Sequence, residues 1–347
     1  MKNIEKIVDF LKNYNGKELT IMEVCGSHTA AITKSGIKDI ISPKIRFVSG
    51  PGCPVCVTIS SYIDKLIELS KSENTEVVTF GDLMRVPGSF SSLQAEKGKG
   101  AKVQMVYSPM DTFKLAEINP DTNYIFAAVG FETTIPVYAC MMDYILANNI
   151  KNVKLLTSLK VMPPAISWLM DNNANIDAFI APGHVSVIIG SEAYVPLSEK
   201  YKVPFAVTGF KPEELCVGIA GLVKMCMDEK PAVKNYYPSV VLSEGNKMAL
   251  DKIFKYFKYD KAVWRGLGAI DDSGLVLKEE YLEFDAGSTG LSEDIKINAG
   301  CSCDKVLMGK LTPNQCPLFK KVCNPQNPQG ACMVSEEGSC FQSFLAG

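Results

Sequence analysis

Six cysteines lie between positions 301 and 340, in the pattern C-x-C-x12-C-x6-C-x8-C-x7-C: Cys301, Cys303, Cys316, Cys323, Cys332 and Cys340. No histidine accompanies them. Four thiolates can hold a [4Fe–4S] cluster or a tetrahedral zinc ion. The intervening prolines and glycines supply the turns that bring distant sulfurs back to one centre. A zinc knuckle and plain disulfides are the competing readings. The spacing lacks paired C-x2-C knuckles, which favours iron–sulfur. Six sulfurs are also two more than one centre needs, so a surplus pair can form a redox disulfide beside a cluster.

A second group stands near the N-terminus. Glu23-Val24-Cys25-Gly26-Ser27-His28-Thr29 holds one thiol and one of only two histidines, and Gly50-Pro51-Gly52-Cys53-Pro54-Val55-Cys56 holds a C-x2-C pair. Such a pair suits a reactive dithiol or two metal ligands, and helix N-termini lower thiol pKa, so thiolate is expected near neutral pH. Gly50, Pro51 and Gly52 force a tight turn and allow close approach to the backbone. The other histidine, His184, follows Ala181-Pro182-Gly183. Asp82 after Gly81, and Glu132 and Thr133 after Gly130-Phe131, are candidate hydrogen-bonding partners around a metal. Helix caps and first-turn acids are the plainer reading of these three. Cys140, Cys216 and Cys226 sit in apolar helical contexts and are expected to pack.

These residues need a frame. Eight short β-branched or apolar runs recur between residues 19 and 208: 19–24, 45–48, 76–80, 102–107, 124–129, 153–157, 176–181 and 204–208. Helix-like sequence usually follows each one. Continuous apolar runs suit strands covered on both faces, and their spacing suits βα units in parallel sheets. The expected fold is α/β, with two similar parallel-sheet lobes and a small C-terminal iron–sulfur domain. The expected division is 1–120, 121–235 and 236–347, with residues 1–15 as a docking helix whose apolar face is Ile4, Ile7, Val8 and Leu11. Chemistry should gather in the loops at the carboxyl ends of the strands.

Composition narrows the function classes. The chain has 347 residues, 47% of them hydrophobic and 21% charged, with a net charge of −2. That is globular composition, and it carries no broad basic footprint for nucleic acid. No apolar run is long enough to span a membrane and the first residues form no export signal, so a cytoplasmic protein is expected. Twelve cysteines in a reducing compartment point to metal or redox chemistry rather than a disulfide framework. There is no Walker-type loop and no complete G-x-G-x2-G.

The segments EVCGSHT, GPGCPVCV, TFGDLMRVPGS, GFETT, PGHVS and PNQCPLF…CNPQNPQGACMVSEEGSC together resemble the HypD family of [NiFe]-hydrogenase maturation factors, over essentially the whole chain. The resemblance implies two similar α/β domains and a [4Fe–4S] domain. It implies a scaffold that works with a small HypC-like chaperone and a HypE-like cyanide donor to assemble an Fe(CN)2(CO) unit on Fe(II). On that likeness Cys25 is the iron-binding thiolate, with Cys53 and Cys56 as the adjacent redox or metal-binding pair. His28, Glu132, Thr133 and His184 complete the site, the last three from the opposite lobe. A further likeness, to ferredoxin:thioredoxin reductase, implies Cys301, Cys316, Cys323 and Cys340 as cluster ligands, and Cys303 with Cys332 as the nearby redox pair. The family often carries a second histidine in its first motif, where this chain has Ala30. An iron–sulfur thiol–disulfide oxidoreductase acting on a protein disulfide is the catalytic alternative. A structural zinc protein would explain the tail alone.

Overall fold

A computed structural model describes residues 2–172, 175–292 and 300–346. Its strands are β1 (Leu19–Glu23), β2 (Ile45–Ser49), β3 (Thr75–Thr79), β4 (Val103–Met105), β5 (Asn123–Gly130), β6 (Val153–Lys160), β7 (Ala178–Ala181), β8 (Phe205–Val207), β9 (Val233–Asn235), β10 (Phe257–Trp264) and β11 (Gly268–Leu277). All eight apolar runs are strands. They divide into two sheets, of order β2-β1-β7-β8-β9 and β10-β11-β6-β5-β3-β4. The first sheet is parallel throughout. In the second, β3 to β6 are parallel and the β10–β11 hairpin adds antiparallel to β6.

The two lobes share a strand order but not the expected boundaries. Each has a second strand on one side of its first, and its third and fourth on the other: β2-β1-β7-β8 and β4-β3-β5-β6. The chain makes β1 and β2, leaves to build β3–β6, and returns for β7–β9. Residue 120 therefore falls between two strands of one sheet, not between lobes. Likewise, residues 257–277 join the second sheet and do not belong with the cysteine-rich tail. Local patterns of apolar runs cannot report this interleaving, because strand pairing is set by tertiary packing.

Burial explains the uninterrupted apolar strands. Along β5, Ile125, Ala127 and Val129 face a central core, while Tyr124, Phe126 and Ala128 face a second cluster behind the sheet. The period of two sends alternate side chains to two dry faces. In the other sheet, Phe205 and Val207 point to the central core and Ala206 to a third cluster. The N-terminal helix Lys2–Lys12 docks there through Leu11, with Ile4, Ile7 and Val8 packed alongside.

The tail is part of the same central core. Leu307, Phe319, Cys332, Met333, Val334 and Cys340 are buried with Cys53, Cys56, Val24 and Val129. Full burial of a Leu, Phe, Met or Val side chain contributes roughly 1.5–3 kcal/mol. Four such anchors outweigh the exposed ion pairs on the surface, worth about 0–1 kcal/mol each.

Candidate functional site

The thiols of the N-terminal group sit at the carboxyl edge of the five-stranded sheet. Cys25 and His28 follow β1, Cys53 and Cys56 follow β2, His184 follows β7, and Thr208, Gly209 and Phe210 follow β8. Sequence order reverses between β1 and β7, which makes their gap the topological switch point, where open α/β sheets gather ligands. His184 thus comes from the same lobe as Cys25. The expectation that it faces the site from the opposite lobe is corrected by the interleaving of the chain.

Cys25 is buried, 7% exposed, and caps the helix Gly26–Lys34. Its neighbour loop is pressed against it. The Gly26 amide donates to the Gly52 carbonyl at 3.0 Å, and a Cβ on Gly52 would stand 2.3 Å from the Cys25 nitrogen. Only glycine fits there. Beneath the loop, buried Glu23 accepts from the Cys25 amide at 3.3 Å and from the Thr29 hydroxyl at 2.5 Å. Burial raises the Glu23 carboxyl to about 7, against the pull of the hydrogen bonds from Ser49, Thr29 and Cys25. Burial also pushes the Cys25 thiol up to about 12, and the Glu337 and Glu23 carboxyls add to it. The amides of His28 and Ser27 at the helix start pull the other way and lose. The expected thiolate at neutral pH is therefore corrected to a neutral thiol. A bound cation would displace its proton, since metal coordination deprotonates thiols outright.

Cys53 and Cys56 form a disulfide with Cα atoms 5.2 Å apart. His28 is fully buried, and its Nε2 lies 3.2 Å from the Gly209 carbonyl and 3.3 Å from the Thr208 hydroxyl. Its Nδ1 has no partner among the described residues. Burial depresses the ring to about 4, so it is neutral at pH 7. Both histidine rings stack on Phe210, with centroids 4.5 Å away for His28 and 4.1 Å for the exposed His184.

The C-terminal segment reaches this edge through contacts that include two polar ones at the thiol loops. The Ser27 hydroxyl donates to Glu337 at 3.2 Å, and Cys56 Sγ lies 3.9 Å from the carbonyl of Ala331, the residue before Cys332. Within the tail, Cys301 and Cys303 sulfurs are 3.2 Å apart, and Cys332 hydrogen-bonds Cys303. Cys303 raises the Cys332 thiol first, burial second, and Cys340 and Cys301 add to it. Cys323 is raised by burial and by Cys301, Cys303 and Cys316. All six sulfurs thus occupy one neighbourhood. A Cβ on Gly330 would stand 2.7 Å from Cys303 Sγ and 2.8 Å from Cys301 Sγ, so both thiols converge on a bare stretch of backbone.

Known proteins are similar to this chain over nearly its whole length. The HypD family, described as "Hydrogenase formation hypA family", matches residues 1–346. A putative hydrogenase expression/formation protein of Methanocaldococcus jannaschii is 40% identical over 344 residues, spanning 97% of this chain and 95% of its own. Hydrogenase maturation factor HypD of Escherichia coli is 40% identical over 328 residues, 93% of this chain and 88% of its own. The HypD of Rhodobacter capsulatus is 37% identical over 348 residues, 98% and 92% respectively. The chain belongs to the HypD family of hydrogenase maturation factors.

Against that family background, the donors of the tail fit an iron–sulfur group by chemistry. They are soft thiols only, gathered around a glycine that leaves room at the sulfurs. Among the described residues no three His, Cys, Asp or Glu side chains stand in a finished ligating arrangement.

Other candidates lie elsewhere. Asp82 and Glu132 follow β3 and β5 at the edge of the six-stranded sheet. Glu132 is buried, and its Oε1 accepts from the Met162 amide at 2.8 Å. Thr133 pairs with the Thr134 hydroxyl at 3.5 Å. Among the described residues no hydrogen bond joins Glu132 or Thr133 to the thiols, though the buried Tyr194 hydroxyl is within electrostatic reach of both Glu132 and Cys25. Cys216 is buried as expected, but Cys140 lies on the exposed face of its helix. Sequence reasoning missed Glu23, Phe210 and Glu337 as parts of the site. An acid closing an apolar strand was the available signal for Glu23. Nothing local marks Phe210 or Glu337, whose roles depend on contacts far along the chain.

Proposed function

We propose that this protein is the scaffold on which an Fe(CN)2(CO) unit is assembled, working with a HypC-like small chaperone and a HypE-like cyanide donor. Iron is the cargo. Cys25 is the thiolate that holds it, completed by a thiolate of the small partner, and Cys53 and Cys56 are the adjacent redox pair. The supporting observation is the chain of sulfur-bearing contacts: the Cys25 loop on Gly52, the Cys53–Cys56 disulfide after it, Cys56 against Ala331, and Cys332 on Cys303. Cys301, Cys316, Cys323 and Cys340 would hold a [4Fe–4S] cluster, which when bound supplies single electrons at low potential. Cys303 and Cys332 form the dithiol beside it. The neutral His28 beside Cys25 leaves that loop without a fixed positive charge. A scaffold of this kind works in the cytoplasm.

The test is anaerobic purification with the small partner, followed by infrared spectroscopy and iron counting. Wild type should show CN and CO stretches, and Cys25→Ala should lose them. Full-strength bands in Cys25→Ala would remove that thiolate from the reading. Iron content of single tail variants tests the partition: Cys316→Ala should lose the cluster iron and Cys303→Ala should keep it. The Cys53–Cys56 disulfide favours a second reading, reduction of a partner's disulfide by thiol exchange. In that step two electrons and two protons from an external low-potential donor yield two thiols on the partner. Disulfide reductase activity without bound diatomic ligands would support it instead.

A further inference from the structure

The thiol edge has a counterpart. In the six-stranded sheet, sequence order reverses between β3 and β5 as it does between β1 and β7 in the other. By the same topological argument its carboxyl edge is a place for a ligand. A cavity of about 590 Å³ opens further along that edge, on the β6 and β11 side rather than in the β3–β5 gap, beside the residues that follow β5 and β6. Pro163, Pro164, Ile189 and Leu250 give it apolar walls. Phe254 and Tyr259, with centroids 5.3 Å apart, form an aromatic pair in the wall.

Two carboxyls line this cavity, Glu132 and Asp272, and among the described residues no Lys, Arg or His does. Glu132 is 4% exposed. One of its oxygens is used by the Met162 amide, and the other, Oε2, has no partner among the described residues. An unpaired buried carboxyl oxygen costs free energy unless something meets it. The Tyr259 hydroxyl is within electrostatic reach of both Glu132 and Asp272, so the two acids and the ring address one space. An apolar wall, an aromatic face and two acids without a counter-charge are the complement of a cation on an aliphatic stem.

We propose that this cavity binds an alkyl ammonium or guanidinium group, its charged head on Glu132 Oε2 and its stem along Pro163, Ile189 and Leu250. The head comes from a free amine or from a Lys or Arg side chain of a partner segment. Among the described residues no cysteine lines this cavity, and the proposal does not rest on the iron-assembly reading.

Calorimetric titration of the full chain with n-butylammonium and n-butylguanidinium tests it, with n-butanol and n-butyrate as isosteres lacking the positive charge. Both cations should bind at least about tenfold more tightly than either isostere, as a charge-assisted hydrogen bond predicts. Glu132→Gln should abolish that margin. Asp272→Asn provides a second variant on an exposed position whose φ of 51° suits Asn, and it should weaken the cations about twofold to threefold. Binding of butanol or butyrate as tight as the cations, or cation binding unchanged in both variants, overturns the proposal. If Glu132→Gln does not fold, unchanged binding in Asp272→Asn alone does so. A short lysine-containing peptide that outcompetes butylammonium would assign the cation to a partner, and the reverse order to a free amine.

Discussion

The two cysteine-bearing regions are held in different ways. The Cys25 loop is locked backbone to backbone: Gly26 bonds Gly52, and Gly52 leaves no room for a side chain against Val24 and Cys25. The tail has a close backbone approach of its own, Gly338 on the Cys332 carbonyl, but its hold on the core is through side chains. It is built of short turns and helices such as Cys303–Leu307 and Ser339–Leu345, anchored by Leu307, Phe319, Met333 and Val334. The first arrangement fixes one thiol in place. The second gathers six sulfurs in one neighbourhood.

Substitutions at the glycines probe this difference most strongly. Gly52→Ala drives a methyl into backbone that cannot yield, and should cost roughly 3 kcal/mol or prevent folding, read as a lower denaturation midpoint. Gly330→Ala meets only the Cys301 and Cys303 sulfurs, which can rotate away. Near-equal losses for the two variants would erase the distinction.

Acid separates the regions next, because the thiol loop holds a buried histidine and the tail none. The folded pKa of His28, lowered by burial to about 4, lies below its ordinary 6.5. The unfolded chain therefore binds more protons in that window, and the stability that neutral His28 allows is full above pH 6.5 and lost as pH falls towards 4. The change amounts to about 3 kcal/mol at most. The stability difference between wild type and His28→Gln should shrink over that range and stay flat above pH 7. A difference independent of pH would mean that the buried ring does not control it.

Smaller effects are expected where the regions touch. Glu337→Ala removes the Ser27 hydrogen bond and one of the carboxyls that raise the Cys25 thiol. It should cost about 1 kcal/mol and speed alkylation of Cys25 at a fixed pH near neutrality. Unchanged alkylation would show that the tail does not influence that thiol. The smallest loss, below about 1 kcal/mol, belongs to Gly330→Ala. Its signature is a lower iron content after anaerobic reconstitution rather than a change in folding.

Much of this was readable from residue order. Apolar runs such as 124–129 and 176–181 identified strands because buried parallel strands require both faces apolar. The motifs around Cys25, Cys53 and His184 carried the family. The partners of those residues were not readable. Phe210 joins His28 to His184 across a long stretch of chain, and Glu337 meets Ser27 from the far end.

Local pattern alone identified eight of the eleven strands among the described residues, which loops carry sulfur, and the family to which the chain belongs. Tertiary structure decided that β7 and β8 return to pair beside β1, that His184 shares a sheet with Cys25, and that the thiol of Cys25 is neutral. Periodicity records which faces must be dry, but not which strand lies alongside or how deeply a charge is buried. Those follow only when distant segments compete for the same core.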